Sequence, residues 1–234
     1  MKNIGNLLLS VFCVFNCYSQ ELTGEELLAK SIAYHDPSGA WKKFKGMLTI
    51  VMQRPNGDER ISEITMDFAQ QYFNLTVYQN GDTIVKTLNK KTCQLLFNGS
   101  ENFDEETQKK YRLNCKNTIK MKDYYSYLYG LPMKLKDPGT LIDPIIRSTT
   151  FDGKKALVLK ANYTKTVGKD TWYFYFNPET YALQAYQFYH NESKNDGEYI
   201  LLNGEASVNG IKMPKNRAWY HNKDDVHLGT DVLK

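Results

Sequence analysis

Four histidines are the first residues to ask about chemistry. His221-x-x-Asp224-Asp225-x-His227 concentrates imidazole and carboxylate, the ligand types of zinc and related divalent sites, in one short span. The same stretch also spells a polar turn, Asn222-Lys223-Asp224-Asp225, flanked by histidines. A structural zinc site needs four convergent ligands, so the turn is the simpler reading and no metal or other cofactor is expected. His190, Asp196 and Glu198 surround a second turn, Asn191 to Gly197, and read as a solvated loop. His35-Asp36 has the composition of an acid–base pair. It also suits a helix end, with a cationic imidazole on the C-terminal dipole and Asp36 opening a turn. No G-x-S-x-G nucleophile motif accompanies it, and there is no G-x-G-x-x-G or Walker A phosphate loop. An enzyme using His35 or His190 for acid–base chemistry is therefore the alternative reading, and a non-catalytic protein the leading one.

Cys93 and Cys115 are a second pair that could react. Their spacing is not C-x-x-C and no histidine flanks them, which argues against redox or metal chemistry. Whether they form a disulfide depends on compartment, and the N-terminus speaks to that. Lys2 supplies a positive charge, Ile4 to Phe15 a short apolar run, and Cys17 and Ser19 small residues at −3 and −1 of a cut before Gln20. Residues 1–19 are thus expected to be a cleaved signal peptide, leaving 20–234 as a single domain, periplasmic or secreted. Lipidation at Cys17 is disfavoured, because Asn16 and Val14 stand where a lipobox wants a small residue and Leu. In an oxidising compartment the remaining even pair, Cys93 and Cys115, is expected to be a disulfide.

The 234 residues are 41% hydrophobic, 24% charged and 13% aromatic, with 17 Tyr. That composition gives a globular core and excludes a disordered or multi-span membrane chain. A net charge of +4, with scattered basic pairs such as Lys42-Lys43 and Lys154-Lys155, gives no nucleic-acid footprint and at most a transient contact with an envelope membrane.

The elements that must position these residues are legible from caps and turns. Thr23 and Glu26 form a capping box, with Leu22 and Leu27 as a hydrophobic staple, and Asp36-Pro37-Ser38-Gly39 stops the helix. Strands follow at 46–54, 59–68, 72–78, 83–88 and 92–97, separated by Pro55-Asn56-Gly57-Asp58 and Gln79-Asn80-Gly81-Asp82 turns. The period then becomes helical. Asn102 with Glu105 suggests one short helix, and 118–130 a second, Tyr-rich one ending at Gly130. Lys134 to Pro144 reads as a loop. Strands resume at 146–151, 155–163, 170–177, 181–190, 197–207, 211–221 and 227–233. Trp172 to Phe176 and much of 181–190 are aromatic on both faces, so both faces must be covered: helices on one, a second sheet or a cavity on the other.

This order of elements resembles the lipoprotein-carrier, or LolA-like, superfamily. Phe176-Asn177-Pro178-Glu179-Thr180-Tyr181-Ala182-Leu183 looks like its later hairpin, and Asn209-Gly210-Ile211-Lys212-Met213-Pro214 like its late strand-turn element. The segments YYSYLYGLPMKLKDP (124–138), GKDTWYFYF (168–176), YHNESKNDGEYILL (189–202) and GIKMPKNRAWY (210–220) are similar to a family of secreted Bacteroidota proteins of unknown function. The resemblance implies an α+β fold: a strongly curved antiparallel sheet, an unclosed half-barrel, with an N-terminal helix and a mid-chain helical insert. It also implies a monomer that holds a lipid, an acylated peptide or another apolar molecule between sheet and helices. Trp172, Phe174, Phe176, Tyr186 and Phe188 are the expected ligand-binding surface. A Tyr-rich interaction protein of an envelope complex is a further alternative.

Overall fold

A computed structural model describes residues 22–234, so the expected leader and Cys17 lie outside the described residues. The capping box forms as written. Thr23 Oγ1 accepts the Glu26 N–H at 3.3 Å, and a Glu26 carboxylate oxygen accepts the Thr23 N–H at 2.8 Å. Helix α1 (Gly24–His35) follows, with Leu27 and Leu28 fully buried, worth about 1.5–3 kcal/mol each.

The next five strands are β1 (Lys45–Gln53), β2 (Arg60–Asp67), β3 (Tyr72–Gln79), β4 (Asp82–Asn89) and β5 (Thr92–Phe97). Helices α2 (Glu105–Tyr111) and α3 (Cys115–Tyr129) interrupt them. The chain then continues as β6 (Thr140–Ile142), β7 (Arg147–Phe151), β8 (Lys154–Tyr163), β9 (Thr171–Phe176), β10 (Leu183–Tyr189), β11 (Glu198–Val208), β12 (Ile211–His221) and β13 (His227–Leu233). Asn80-Gly81, Asp152-Gly153 and Asn209-Gly210 each place both turn residues at positive φ, the geometry that matches the twist of a tight hairpin.

Three local readings need correction. The short helix is capped by Asp104, whose carboxylate accepts the Thr107 N–H at 2.7 Å, and Asn102 plays no such role. The Tyr-rich helix starts earlier than 118, because Asn114 caps it by accepting the Asn117 N–H at 2.8 Å. The stretch 134–144, expected as a loop, contains a 3-10 turn at Met133–Lys136 and strand β6, which is too short to show a period.

All thirteen strands form one antiparallel sheet in the order β5-β4-β3-β2-β1-β13-β12-β11-β10-β9-β8-β6. β7 pairs with the first half of β8, and β6 with its end. β5 and β6 do not meet, so the sheet is an unclosed half-barrel. Register breaks at Leu183/Ala185 and Trp219/Tyr220 bend the middle strands, since a bulge curls a strand and deepens its twist. The concave face carries the core. Leu48, Ile50, Ile64 and Phe73 from the first meander join Phe174, Phe176, Tyr186 and Ile200 from the second.

The helices close that face. α1 lies on β8 and β12. α3 turns Tyr125, Leu128 and Tyr129 inward, positions i, i+3 and i+4 of one stripe. At its end, a Cβ on Gly130 would stand 2.4 Å from the Trp41 ring, so only glycine lets Trp41 seat there. The start of α3 is bonded to the sheet edge by the Cys93–Cys115 disulfide. Next to it Lys86 on β4 is buried. Its ammonium donates to Tyr111 O at 3.0 Å, Arg112 O at 3.2 Å and Asn117 Oδ1 at 2.7 Å, which supplies the C-terminal cap of α2. Burial pushes that amine down to about 8.

Among the described residues neither the expected second sheet nor a sizeable cavity covers the far face. Its own side chains cover it. Phe151 stacks on Tyr175 at 4.1 Å and Tyr199 on Tyr220 at 5.0 Å. The phenol tips reach polar partners: Tyr173 donates to Glu192 at 2.6 Å and Tyr175 to Gln187 at 2.8 Å. Tyrosine can cover a sheet and still be wetted at its tip, which removes the need for another layer.

The disulfide closes a loop of 22 positions, worth about 3 kcal/mol if its effect is on the unfolded chain. A Cys93→Ser/Cys115→Ser double variant should unfold at correspondingly lower urea with an unchanged slope. An unmoved midpoint would mean that packing alone holds the insert.

Candidate functional site

Between the concave face and α3 lies an open cavity of about 1060 Å³. That is at the upper end of small-molecule pockets, which run about 300–1,000 Å³. Its walls are apolar: Trp172 on β9, Phe188 on β10, Trp219 on β12, Leu228 on β13 and Met52 on β1. Helix α3 adds Tyr124, Tyr127 and Leu128. Trp172 is the centre of this surface. Its ring stacks on Phe188 at 4.8 Å and on Phe174 at 6.0 Å, and Tyr127 meets it edge-on at 5.6 Å. The Tyr127 hydroxyl also bonds the Tyr163 hydroxyl of β8, so α3 is moored at both sides of the sheet. The Tyr-rich helix therefore both rests on the core and roofs the cavity.

Of the aromatic residues singled out from sequence, Trp172 and Phe188 line the cavity. Phe174, Phe176 and Tyr186 share their face but lie in the core, each at most 1% exposed. Three lining residues come from strands whose patterning alone offers no reason to place them here: Met52, Trp219 and Leu228. The period of two marks the alternation of each strand, but only the pairing of β1 with β13 carries these side chains to one wall.

The mouth is polar. Lys134 pairs with Asp137, and Asp170 accepts from or pairs with His190 Nδ1 at 2.8 Å. His190 was grouped with Asp196 and Glu198, but its partner is Asp170. The Asp196 carboxylate instead accepts the Asn191 N–H at 2.6 Å. The Asp170 hydrogen bond raises His190 above the ordinary histidine range, and burial raises Glu198 on the same rim. Among the described residues no hydroxyl or thiol is hydrogen-bonded to His190.

His35 is neither a catalytic base nor a helix-end cation. It is 2% exposed, with Nδ1 donating to Lys212 O at 2.6 Å and Nε2 accepting the Leu183 N–H at 2.9 Å. Both nitrogens are engaged, and together they fix the neutral tautomer and bridge β12 to β10. Burial lowers its pKa. The 221–227 cluster does not converge either. His221 faces Asp224 at 3.4 Å, Asp225 accepts from Tyr199 at 3.1 Å, and His227 lies 3.0 Å from Thr230 Oγ1. Among the described residues no three His, Cys, Asp or Glu side chains gather as metal ligands. No described helix is long and apolar enough to cross a membrane.

A family match runs over residues 2–233. The chain belongs to the family of unknown function DUF6503. Among curated proteins none is detectably similar. Solved structures are. A Vibrio parahaemolyticus domain named for outer membrane lipoprotein sorting matches this DUF6503 chain with a TM-score of 0.50 at 8% identity, covering 90% of each. A LolA superfamily protein from Nitrosomonas europaea matches at 0.47 and 10% identity, covering 91% of each. At such identities the likeness to the Vibrio domain is one of fold: an unclosed antiparallel sheet with an N-terminal and a mid-chain helix.

The geometry of His35 makes a pH prediction. The unfolded chain binds its proton near pH 6.5, the folded chain only below that. Its contribution to stability is thus complete above that value and lost as pH falls through the lowered folded pKa. His35→Gln can make both hydrogen bonds without titrating. Urea unfolding at pH 7.5 and 5.5 should show less acid loss in this variant than in the parent, at a cost of about 1 kcal/mol at neutral pH. The exposed His190–Asp170 pair acts in the opposite direction in both proteins and cancels in the comparison. Equal slopes would refute the structural role of His35.

Proposed function

We propose that this chain is an exported, non-catalytic binding protein that holds a lipid, an acylated peptide or another apolar molecule in the cavity under α3. The observation that carries the reading is a cavity of about 1060 Å³ walled by tryptophan, phenylalanine, tyrosine, leucine and methionine, whose charged lining residues, Lys120 and Asp123 among them, are all exposed or half-buried. Apolar walls with few inward polar groups favour a ligand recognised by area rather than by directed bonds. The LolA-like fold supports the same reading, as does the N-terminal sequence expected to direct export. A His35 with both ring nitrogens bonded, and a His190 with no described hydroxyl or thiol bonded to it, support holding over turnover. Trp172 and Phe188 would contact the ligand directly, with Phe174, Phe176 and Tyr186 as the layer that supports them. The protein would act as a monomer, touching an envelope membrane only transiently.

The three tryptophans provide the test. Trp172 and Trp219 face the cavity, and Trp41 is buried elsewhere, against Phe44 and Phe68. Brominated palmitate should quench the parent, and should leave the residual Trp41 emission of a Trp172→Phe/Trp219→Phe variant unchanged. Native mass spectrometry of protein purified without detergent should show a lipid-sized adduct. No quenching together with a clean apo mass would reject the carrier reading.

A further inference from the structure

Beneath the cavity floor lies a row of polar side chains, each with a buried polar atom that finds no partner in the protein. Met52 on β1 is the direct neighbour of Arg60 on β2 and of Asp231 on β13, and Asp231 is that of Arg217 on β12. Direct neighbours in an antiparallel sheet share a face. Met52 lines the cavity, so Arg60, Asp231 and Arg217 are all on the concave side. Arg217 and Asp231 are 1% and 5% exposed, yet they do not form an ion pair.

Arg217 is held in place from its other side. Nη1 donates to Pro214 O at 2.9 Å, Nη2 to Leu128 O at 3.4 Å, and the guanidinium lies 3.9 Å over the Tyr129 ring. Its Nε–H has no acceptor. Nor do Arg60 Nε, the Tyr129 hydroxyl or the Tyr186 hydroxyl, while Asp231 Oδ1 has no donor. Asp231 Oδ2 accepts from Trp219 Nε1 at 3.2 Å, and Trp219 is itself cavity wall. The cluster thus touches the cavity through Met52, Leu128 and Trp219.

Two quantities define what is missing. The orphan donors outnumber the orphan acceptor, and two guanidiniums face one carboxylate. A buried polar group without a partner costs about 1–3 kcal/mol, more when charged, so four or five side by side are not left unmet without compensation. The missing partner is an acceptor carrying negative charge. Met52, which lines the cavity beside Arg60 and Asp231, is the residue type best able to swing aside.

We infer that the cavity takes a single-chain amphiphile with an anionic carboxylate head, seated head-inward on Arg217 and Arg60 with the Tyr186 and Tyr129 hydroxyls, its chain running outward over Trp219, Phe188 and Trp172. This rests on the proposed carrier role and adds the ligand class and its orientation. At the mouth Lys134 and His190 already have carboxylate partners. Lys120, the lining cation with no ion pair among the described residues, is exposed, where water and salt screen its charge.

The test compares palmitate with hexadecanol and hexadecyltrimethylammonium below their micellar concentrations, by tryptophan quenching and calorimetry. The parent should bind palmitate at least tenfold tighter than either. Arg60→Gln and Tyr186→Phe should each lose most of that preference and keep their hexadecanol affinity, which a purely structural role would not predict. Arg217→Gln should abolish the preference; should it fail to fold, the other two variants decide. Binding of none of the probes would overturn the carrier reading itself. Equal binding of all three, or a preference that survives both variants, would overturn only the head-inward assignment and leave ordered water as the partner of the row.

Discussion

The rest of the structure depends on one short pairing. β1 and β13 meet only from Ile50 to Gln53 against Thr230 to Leu233, with Lys234 donating to Thr49 O at 2.9 Å just beyond. Nearly everything on either side is local: hairpin follows hairpin, and apart from β6, which pairs with β8, each strand lies beside a chain neighbour. Without this join there would be two separate meanders, each with an apolar face and too little to cover it. With it, both faces become one concave surface that two helices can close. The approach is tight. A Cβ on Gly229 would lie 2.8 Å from Gln53 O, so a side chain there would force the strands apart. The pairing also joins nearly opposite ends of the chain, and loop-closure entropy makes such a contact the costly, late step of assembly.

The local elements were legible for a physical reason. Turn residues and caps are short-range devices, and Asn-Gly or Thr-x-x-Glu works through its own backbone whatever the tertiary context. Hence the capping box, the half-barrel class and every strand but β6 could be read from residues and resemblance. The disulfide followed from parity and compartment. What escaped depends on who faces whom. His35 has the sequence context of a helix end, but its ring became a bridge between strands distant in sequence. Asp170 and His190 are brought together by the pairing of β9 with β10, whereas sequence proximity suggested Asp196. Trp172 and Phe188 could be guessed as wall and Phe174 could not be told from them. All three alternate correctly; depth beneath a helix is not a property of alternation.

Tyrosine solves two different problems in this molecule. On the convex side it replaces a covering layer, lying flat on its neighbours with the hydroxyl in reach of Glu192, Gln187 or Asp225. On α3 it builds a roof with a dry side and a moored edge, Tyr125 and Tyr129 buried while Tyr127 bonds to Tyr163. Leucine would serve the dry side equally well but could supply neither the mooring nor a wetted convex face.

An open sheet usually invites a second copy to extend it, because its edge strands display unpaired backbone groups. Here one edge is pinned to α3 by Cys93, and the other is divided between β6 and β7, both short and offset along β8. Guarded edges have a geometric consequence. In a closed barrel, strand number and shear fix the radius and hence the interior. A half-barrel without that closure condition can flatten or tighten, so the size of its hollow is a soft mechanical variable, set by how far the helices above it are pushed.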